Sequence, residues 1–236
     1  MTLNDKIETR FENAGKSKTF RNIAGEFHLG TRKVLDVGCS YGEFLAHFGK
    51  ESVGVTIVKE EAEYGKTKGL RIVEGNIESD VLNIATEEKF DVIFANNIFE
   101  HLLSPHLFLQ KIRRHIKEDG ILILGVPCVP FFSFLMKMRK FRGALAGSHI
   151  NFFTKKTLAL TVMRGGWRIK EERSFHFKNV FFDALLGPIV PHFYVIAVPD
   201  KNFHYNEKHL RDLSGYSKNF SPAGQLDGIS AINAKT

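Results

Sequence analysis

Between Lys33 and Phe44 the chain reads K-V-L-D-V-G-C-S-Y-G-E-F, and few architectures accept such a stretch. Val34, Leu35 and Val37 make a short apolar, β-branched run of strand character, and Gly38 and Gly42 bracket the turn that follows. A strand apolar on both faces belongs inside a sheet that is covered on both sides. Glycine at the turn lets a ligand approach the backbone without meeting a Cβ. A ligand site is therefore expected here, although an ordinary strand-to-helix connection in any α/β domain uses the same residue types.

Further strands and helices alternate along the chain. Ser52 to Thr56, Leu70 to Glu74, Phe90 to Ala95 and Ile121 to Val126 read as strands, the last two with the near-continuous apolar character of a parallel sheet interior. Tyr41 to Phe48 suits a helix, and a charged helix is expected over 59–68. Ser104-Pro105 supplies an N-cap with proline in the first turn, so a helix is expected to run to about Lys117, with Leu109, Ile112 and Ile116 on one face. Thr154 caps another, stopped by Gly165-Gly166, and Trp167 to Phe175 and Phe193 to Val198 complete seven strands. The pattern predicts a doubly wound, Rossmann-like α/β fold whose ligand sits at the carboxyl ends of the strands. The turn at 38–42, Thr56, the 75–77 loop, the 95–101 segment and the 127–149 stretch then converge on one crevice.

With 236 residues, 43% of them hydrophobic, the chain can bury one substantial core. The domain is expected over 33–198, preceded by a helical extension over 1–32 and followed by a polar tail over 199–236, read as loosely attached or disordered. A formal charge of +7 favours an anionic partner or surface without choosing one. Cys39 and Cys128 show no metal-ligand spacing and read as buried thiols in a reducing compartment. The first residues lack the apolar core of a secretory signal, so a cytoplasmic location is expected. Ile121 to Met136 is almost uncharged, but Pro127 and Pro130 interrupt it and it falls short of the about 20 residues of a membrane span.

Four motifs in register carry a resemblance: V-L-D-V-G-C-S-Y-G-E-F, E-G-N-I-E, F-D-V-I-F-A-N-N-I-F-E-H-L and D-G-I-L-I-L-G-V-P. In this order and spacing they resemble class I S-adenosylmethionine (SAM)-dependent methyltransferases. The later S-H-I-N-F-F-T-K-K-T-L and G-G-W segments are similar to the branch that includes ubiquinone-type O-methyltransferases and methyltransferases of unassigned small-molecule or glycan substrates. The resemblance covers about 33–198 and implies a mostly parallel seven-stranded sheet with the last strand antiparallel. It implies SAM as cofactor, with Asp36, Gly38, Cys39 and Gly42 around the methionine portion. The family's ribose-binding acid falls on Thr56, so an aspartate there is expected to restore a charge-assisted bond and tighten binding. The family's adenine-side aspartate falls on Asn76, whose amide oxygen is expected to accept from the adenine amino group, with Ile77 packing on the ring. Asn96 and Asn97 are expected on the methionine and acceptor side.

Other readings fit less well. A nicotinamide-binding fold wants G-x-G-x-x-G, and the chain has G-C-S-Y-G. Cys128 as a nucleophile is disfavoured because it follows the fifth strand and because cysteines are more often buried than reactive. Basic clusters at 137–142, 155–156 and 164–173 raise an RNA-binding modification enzyme, but they are interleaved with aromatic core residues, and nucleic acid is ranked below other partners. A SAM-binding module without catalysis also stands, motivated by Thr56 and Asn76.

The leading expectation is methyl transfer to a small-molecule, glycan or lipid-linked acceptor, through oxygen, with no metal. His149, where the 129–147 insertion returns to the crevice, is expected to be the general base. Glu100-His101 matches the family's pair after the fourth strand, where a positioning role competes with catalysis. The insertion sets Phe131, Phe132, Phe134, Leu135 and Met136 beside Lys137, Arg139, Lys140 and Arg142. That combination is expected either to pack on the domain or to form an acceptor lid with peripheral contact to acidic membrane. The oligomeric state is not readable.

Overall fold

The computed structural model describes residues 2–78, 84–85, 87–130, 132–187 and 190–205. Seven strands form a single sheet in the order β3-β2-β1-β4-β5-β7-β6. They are β1 (Val34–Val37), β2 (Val53–Thr56), β3 (Ile72–Glu74), β4 (Phe90–Asn96), β5 (Ile116–Pro127), β6 (Trp167–Arg173) and β7 (His192–Pro199). Strands β1 to β5 pair in parallel, while β7 runs antiparallel between β5 and β6. The expected antiparallel last strand is present, inserted one place in from the edge.

Alternation along each strand divides the apolar residues between two cores. Leu35, Val37, Ile93, Ala95, Leu122, Leu124 and Val195 face one side, under Phe108, Leu109 and Ile112 of α4 (Pro105–Ile112) and Leu158 and Val162 of α5 (Lys155–Arg164). Val34, Val92, Phe94, Ile123 and Ile196 face the other. There they meet Phe20 and Ile23 of α2 (Lys18–Glu26) and Ala62 of α3 (Lys59–Thr67). Each fully buried Phe or Leu contributes about 1.5–3 kcal/mol. Helix α2 is thus part of the packing around the sheet, and α1 (Leu3–Lys16) precedes it.

Several boundaries differ from the sequence reading. The helix expected over Tyr41–Phe48 is a series of turns ending in one 3-10 turn at Leu45–His47, because Gly42 takes φ +91° and breaks the helical run. Helix α4 ends at Ile112, and β5 starts at Ile116: Phe90 pairs with Ile116 and Val92 with Ile121, so Lys117–Gly120 bulge out of the strand. Helix α6 (Val180–Leu186) was not expected. The beginning of the tail is packed: Arg113 Nη2 donates to the Asp200 carbonyl at 2.8 Å, and Tyr205 bonds with Gln110. The expectation for the remainder, 206–236, lies outside the described residues. In the insertion, Leu135, Phe141 and Ala144 are buried, while Phe132, Phe134 and Met138 are exposed; Phe131 lies outside the described residues. No helix of the described residues is long and apolar enough to cross a membrane.

Candidate functional site

The carboxyl end of β1 opens into a tight loop. Backbone amides of Gly38 and Cys39 both donate to the Val55 carbonyl, at 2.9 and 3.0 Å, tying this loop to β2. Gly38 sits at φ +75°, and a Cβ there would stand 3.0 Å from the Ile98 side chain. Ser40 and Asn97 adopt left-handed backbone at φ 50° and 56°, a strain of about 1–3 kcal/mol each for a non-glycine residue. Two cavities meet at Gly38.

The first, of about 290 Å³, is lined by Gly38, Ser40, Thr56, Glu61, Asn76, Ile77 and residues around them. Sequence reasoning missed its most polar group. Thr56 donates its hydroxyl to Glu61 Oε2 at 2.6 Å, and Ser40 donates to Glu61 Oε1 at 2.9 Å. A carboxylate therefore stands beside the end of β2 even though the strand itself ends in threonine; it is supplied from the first turn of α3. Asn76 Oδ1 accepts from the Glu78 backbone amide at 2.9 Å, which closes the 75–78 turn, and Ile77 is buried in the adjoining core. Glu78 in turn accepts from the Leu103 amide at 3.0 Å, fixing that turn against the start of α4.

The second cavity, of about 460 Å³, is lined by Asp36, Gly38, Cys39, Glu43, Asn96 and Asn97, and by Arg10, Asn13 and Ala14 of α1. Asp36 is buried, and its Oδ2 has no hydrogen-bond partner. Burial, reinforced by the Glu43 carboxylate, pushes its pKa well above the ordinary range. Asn96 Oδ1 accepts from the Tyr194 hydroxyl at 3.0 Å, and Asn97 Oδ1 lies 2.7 Å from His192 Nε2. Both asparagines are thereby oriented by β7. Helix α1 closes this side: Arg10 donates to Ser40 Oγ at 3.0 Å and pairs with Glu43, while Tyr64 donates to Glu8 at 2.7 Å. Gly42 lies behind the loop, where a Cβ would meet Leu70 at 2.6 Å; its part is to shape the turn.

Beyond the loop, His149 lines neither cavity and lies against Glu100 and His101, the latter at the edge of the first. Its Nε2 is 3.9 Å from Glu100 Oε1, its ring lies 4.6 Å from that of His101, and burial lowers its pKa. Asn151 donates its amide to the Leu102 carbonyl at 2.6 Å, so it pins the loop. Cys128 is buried and its thiol is pushed up to about 12 by burial, which leaves no thiolate for nucleophilic chemistry near neutral pH. Burial likewise raises the Cys39 thiol.

The two cavities fit an elongated molecule with a cationic amine at one end and hydroxyls toward the other. Asp36 Oδ2 is an acceptor without a donor, Glu61 offers a carboxylate at the mouth of β2, and the glycine between them leaves the backbone open. Those are the requirements of SAM.

Comparison with known proteins gives the same family. A family model described as a methyltransferase domain matches residues 5–172. Among curated relatives, (S)-coclaurine N-methyltransferase of Papaver somniferum is 36% identical over 106 residues, covering 41% of this chain and 30% of that protein. A ubiquinone biosynthesis O-methyltransferase of Glaesserella parasuis is 29% identical, covering 40% and 44% respectively. The chain thus spans less than half the length of either relative. Among solved structures, a SAM-dependent methyltransferase of Archaeoglobus fulgidus covers 84% of this chain and all of its own, with TM-score 0.56 and 18% identity. A SAM-dependent methyltransferase of Thermotoga maritima gives 0.58 at 17% identity, covering 84% and 96%. With the seven-stranded topology and a family model spanning most of the chain, this protein belongs to the class I SAM-dependent methyltransferases.

Proposed function

We propose that this chain transfers a methyl group from SAM to the oxygen of a small-molecule, glycan or lipid-linked acceptor. The observation that carries the reading is the pairing of the unpartnered Asp36 Oδ2 on one side of Gly38 with the Glu61 carboxylate on the other. Asp36 would take the α-ammonium, Glu61 and Thr56 the ribose hydroxyls, and Ile77 the adenine face. Asn76, whose amide oxygen already serves the turn, would border the adenine edge. Asn96 and Asn97 would line the path from the methionine side to the acceptor.

Bound there, SAM would supply an electrophilic methyl group to the acceptor oxygen. Much of the acceleration comes from holding the acceptor in line and excluding water. The chain's contribution to the proton is His149, neutral near pH 7 because burial lowers its pKa. A ring nitrogen would take the acceptor's proton, and the Glu100 carboxyl 3.9 Å away would steady the imidazolium.

A hydrophobic acceptor, met at the surface of an acidic membrane, is supported by the faces left uncovered. Phe132 and Phe134 of the insertion are exposed and are followed in the chain by exposed Lys137, Arg139 and Lys140; Phe181, Phe182 and Leu185 of α6 are exposed and are preceded by exposed Lys178. Apolar anchoring with basic residues suits such a surface. The reading is tested by calorimetry with SAM and with its demethylated product, then by incubation with labelled SAM and separated metabolite, lipid, glycan and RNA fractions. Label in lipid or glycan fractions is expected. Binding without label in any fraction would leave a non-catalytic module, and label in RNA would replace the acceptor class.

A further inference from the structure

Glu100 is the least explained charged group in the described structure. Its side chain is 2% exposed, and among the described residues both carboxylate oxygens lack a hydrogen-bond partner and no Lys or Arg pairs with it. A buried, unpartnered carboxylate costs several kcal/mol in its charged form. What stands nearest are two imidazoles: His101 Nε2 at 4.0 Å and His149 Nε2 at 3.9 Å from Oε1. One donor atom from each of the three residues lies within 4.8 Å of the other two.

The surroundings hold these donors in place. His101 Nδ1 lies 3.0 Å from the Ser148 carbonyl, an acceptor that fixes the proton on Nδ1 and leaves the Nε2 lone pair toward Glu100. The Glu100 carbonyl accepts from the Ile150 and Asn151 amides, both at 3.0 Å, which docks the loop bearing His149 against the segment bearing Glu100. His101 also lines the cavity that contains Gly38 and Ile98.

We infer that Glu100, His101 and His149 form a binding site for one divalent transition-metal cation of the zinc type, at the edge of the cofactor cavity. Two imidazole nitrogens and one carboxylate oxygen suit such an ion better than Mg²⁺ or Ca²⁺, which prefer all-oxygen shells. Tetrahedral bonds of about 2.1 Å set donors roughly 3.4 Å apart, so the two Glu100–His contacts, at 4.0 and 3.9 Å, must shorten by roughly 0.5 Å. Three protein ligands leave a position open to an oxygen of the acceptor. This inference rests on the acceptor side lying here, as proposed above: with an ion held, His149 would act as its ligand in place of taking the proton, and the ion would supply Lewis-acid polarisation of the acceptor hydroxyl.

The test uses the tag-free full chain after chelator treatment, titrated with zinc chloride alone in a calorimeter. One ion per chain is expected, with affinity at least tenfold weaker in Glu100→Gln and in His149→Gln. Cobalt(II) should give visible d–d bands distinct from those in buffer. Should either variant fail to fold, manganese(II) added to the wild type should broaden the His101 and His149 ring-proton signals before those of His28 and His204. Zinc affinity that is unchanged in the folded variants, or cobalt and manganese spectra without these effects, overturns the site. SAM affinity measured on the same samples separates the two readings: zinc binding without SAM binding sinks the proposed function and leaves the metal site standing.

Discussion

The Thr56 hydroxyl donates to the Glu61 carboxylate across 2.6 Å, at the point where β2 ends and α3 begins. That contact reverses what position 56 implies when read alone. An aspartate there would not add an acid to a site that lacks one; it would set a second carboxylate against Glu61. Like charges at that distance raise the pKa of one group and cost binding. Thr56→Asp is expected to weaken SAM about tenfold, and Glu61→Gln by at least as much, both read by calorimetry. Tighter binding by Thr56→Asp would mean that Glu61 does not serve the ribose.

Gly38→Ala tests the loop between the two cavities. The new Cβ meets Ile98 at 3.0 Å and the backbone stays at φ +75°, so the fold should lose about 1–2 kcal/mol. SAM binding should fall further than the melting temperature explains, because the methyl group enters the cofactor's path. A folded Gly38→Ala protein with wild-type SAM affinity would remove the cofactor from this loop.

Glu100 predicts a pH dependence of stability. Its pKa is raised in the folded state, chiefly by burial, so between the unfolded carboxylate value of about 4.3 and the raised value the native state binds more protons than the unfolded chain. Stability from this group is present at low pH and is lost as pH rises through the folded pKa. In chelator, Glu100→Gln should melt about 2–4 °C above wild type at neutral pH, for about 1 kcal/mol, with the gap closing below pH 4. An equal gap at both ends would assign the effect to packing.

The exposed face of the insertion predicts salt-sensitive membrane binding. Removing 131–142 outright would also delete Phe141, which is fully buried, so substitutions are the cleaner probe. Phe134→Ser combined with Lys137→Glu and Arg139→Glu should keep the melting temperature within about 2 °C. Sedimentation with acidic vesicles at low salt should fall at least tenfold. Equal sedimentation of wild type and variant would remove the membrane contact.

The sheet was legible in the sequence because its strands are short apolar runs, and the alternation of two cores needs little else. What the sequence hid was long-range. Lys117–Gly120 reads as a helix end because it is polar; only pairing of Ile116 with Phe90 reveals it as a bulge within a strand. Helix α6 is set by Asp183, whose carboxylate takes the amides of Ser174, Phe175 and Phe177 from a segment that precedes it. Glu61 looks like one more charge on a solvated helix until the phase of α3 aims it at Thr56 and Ser40. The positions of Asp36, Gly38, Asn96 and Asn97 at strand ends and at the glycine turn were readable because those are local features. That Glu100, His101 and His149 meet was not readable, because spacing brings the insertion back toward the strand ends without saying which side chains it sets together.

Helix α1 touches the loop after β1 through Arg10 and the α3 side through Glu8, with Tyr64 and Lys68 as partners. A ligand lodged between Asp36 and Asn97 would have α1 as one wall of its cavity. Departure of that ligand then becomes coupled to fraying of the first sixteen residues, and its residence time becomes a property of the amino terminus. Amide exchange at Ile7 and Ala14, the buried positions of α1, should slow when SAM is added and should report occupancy from outside the pocket.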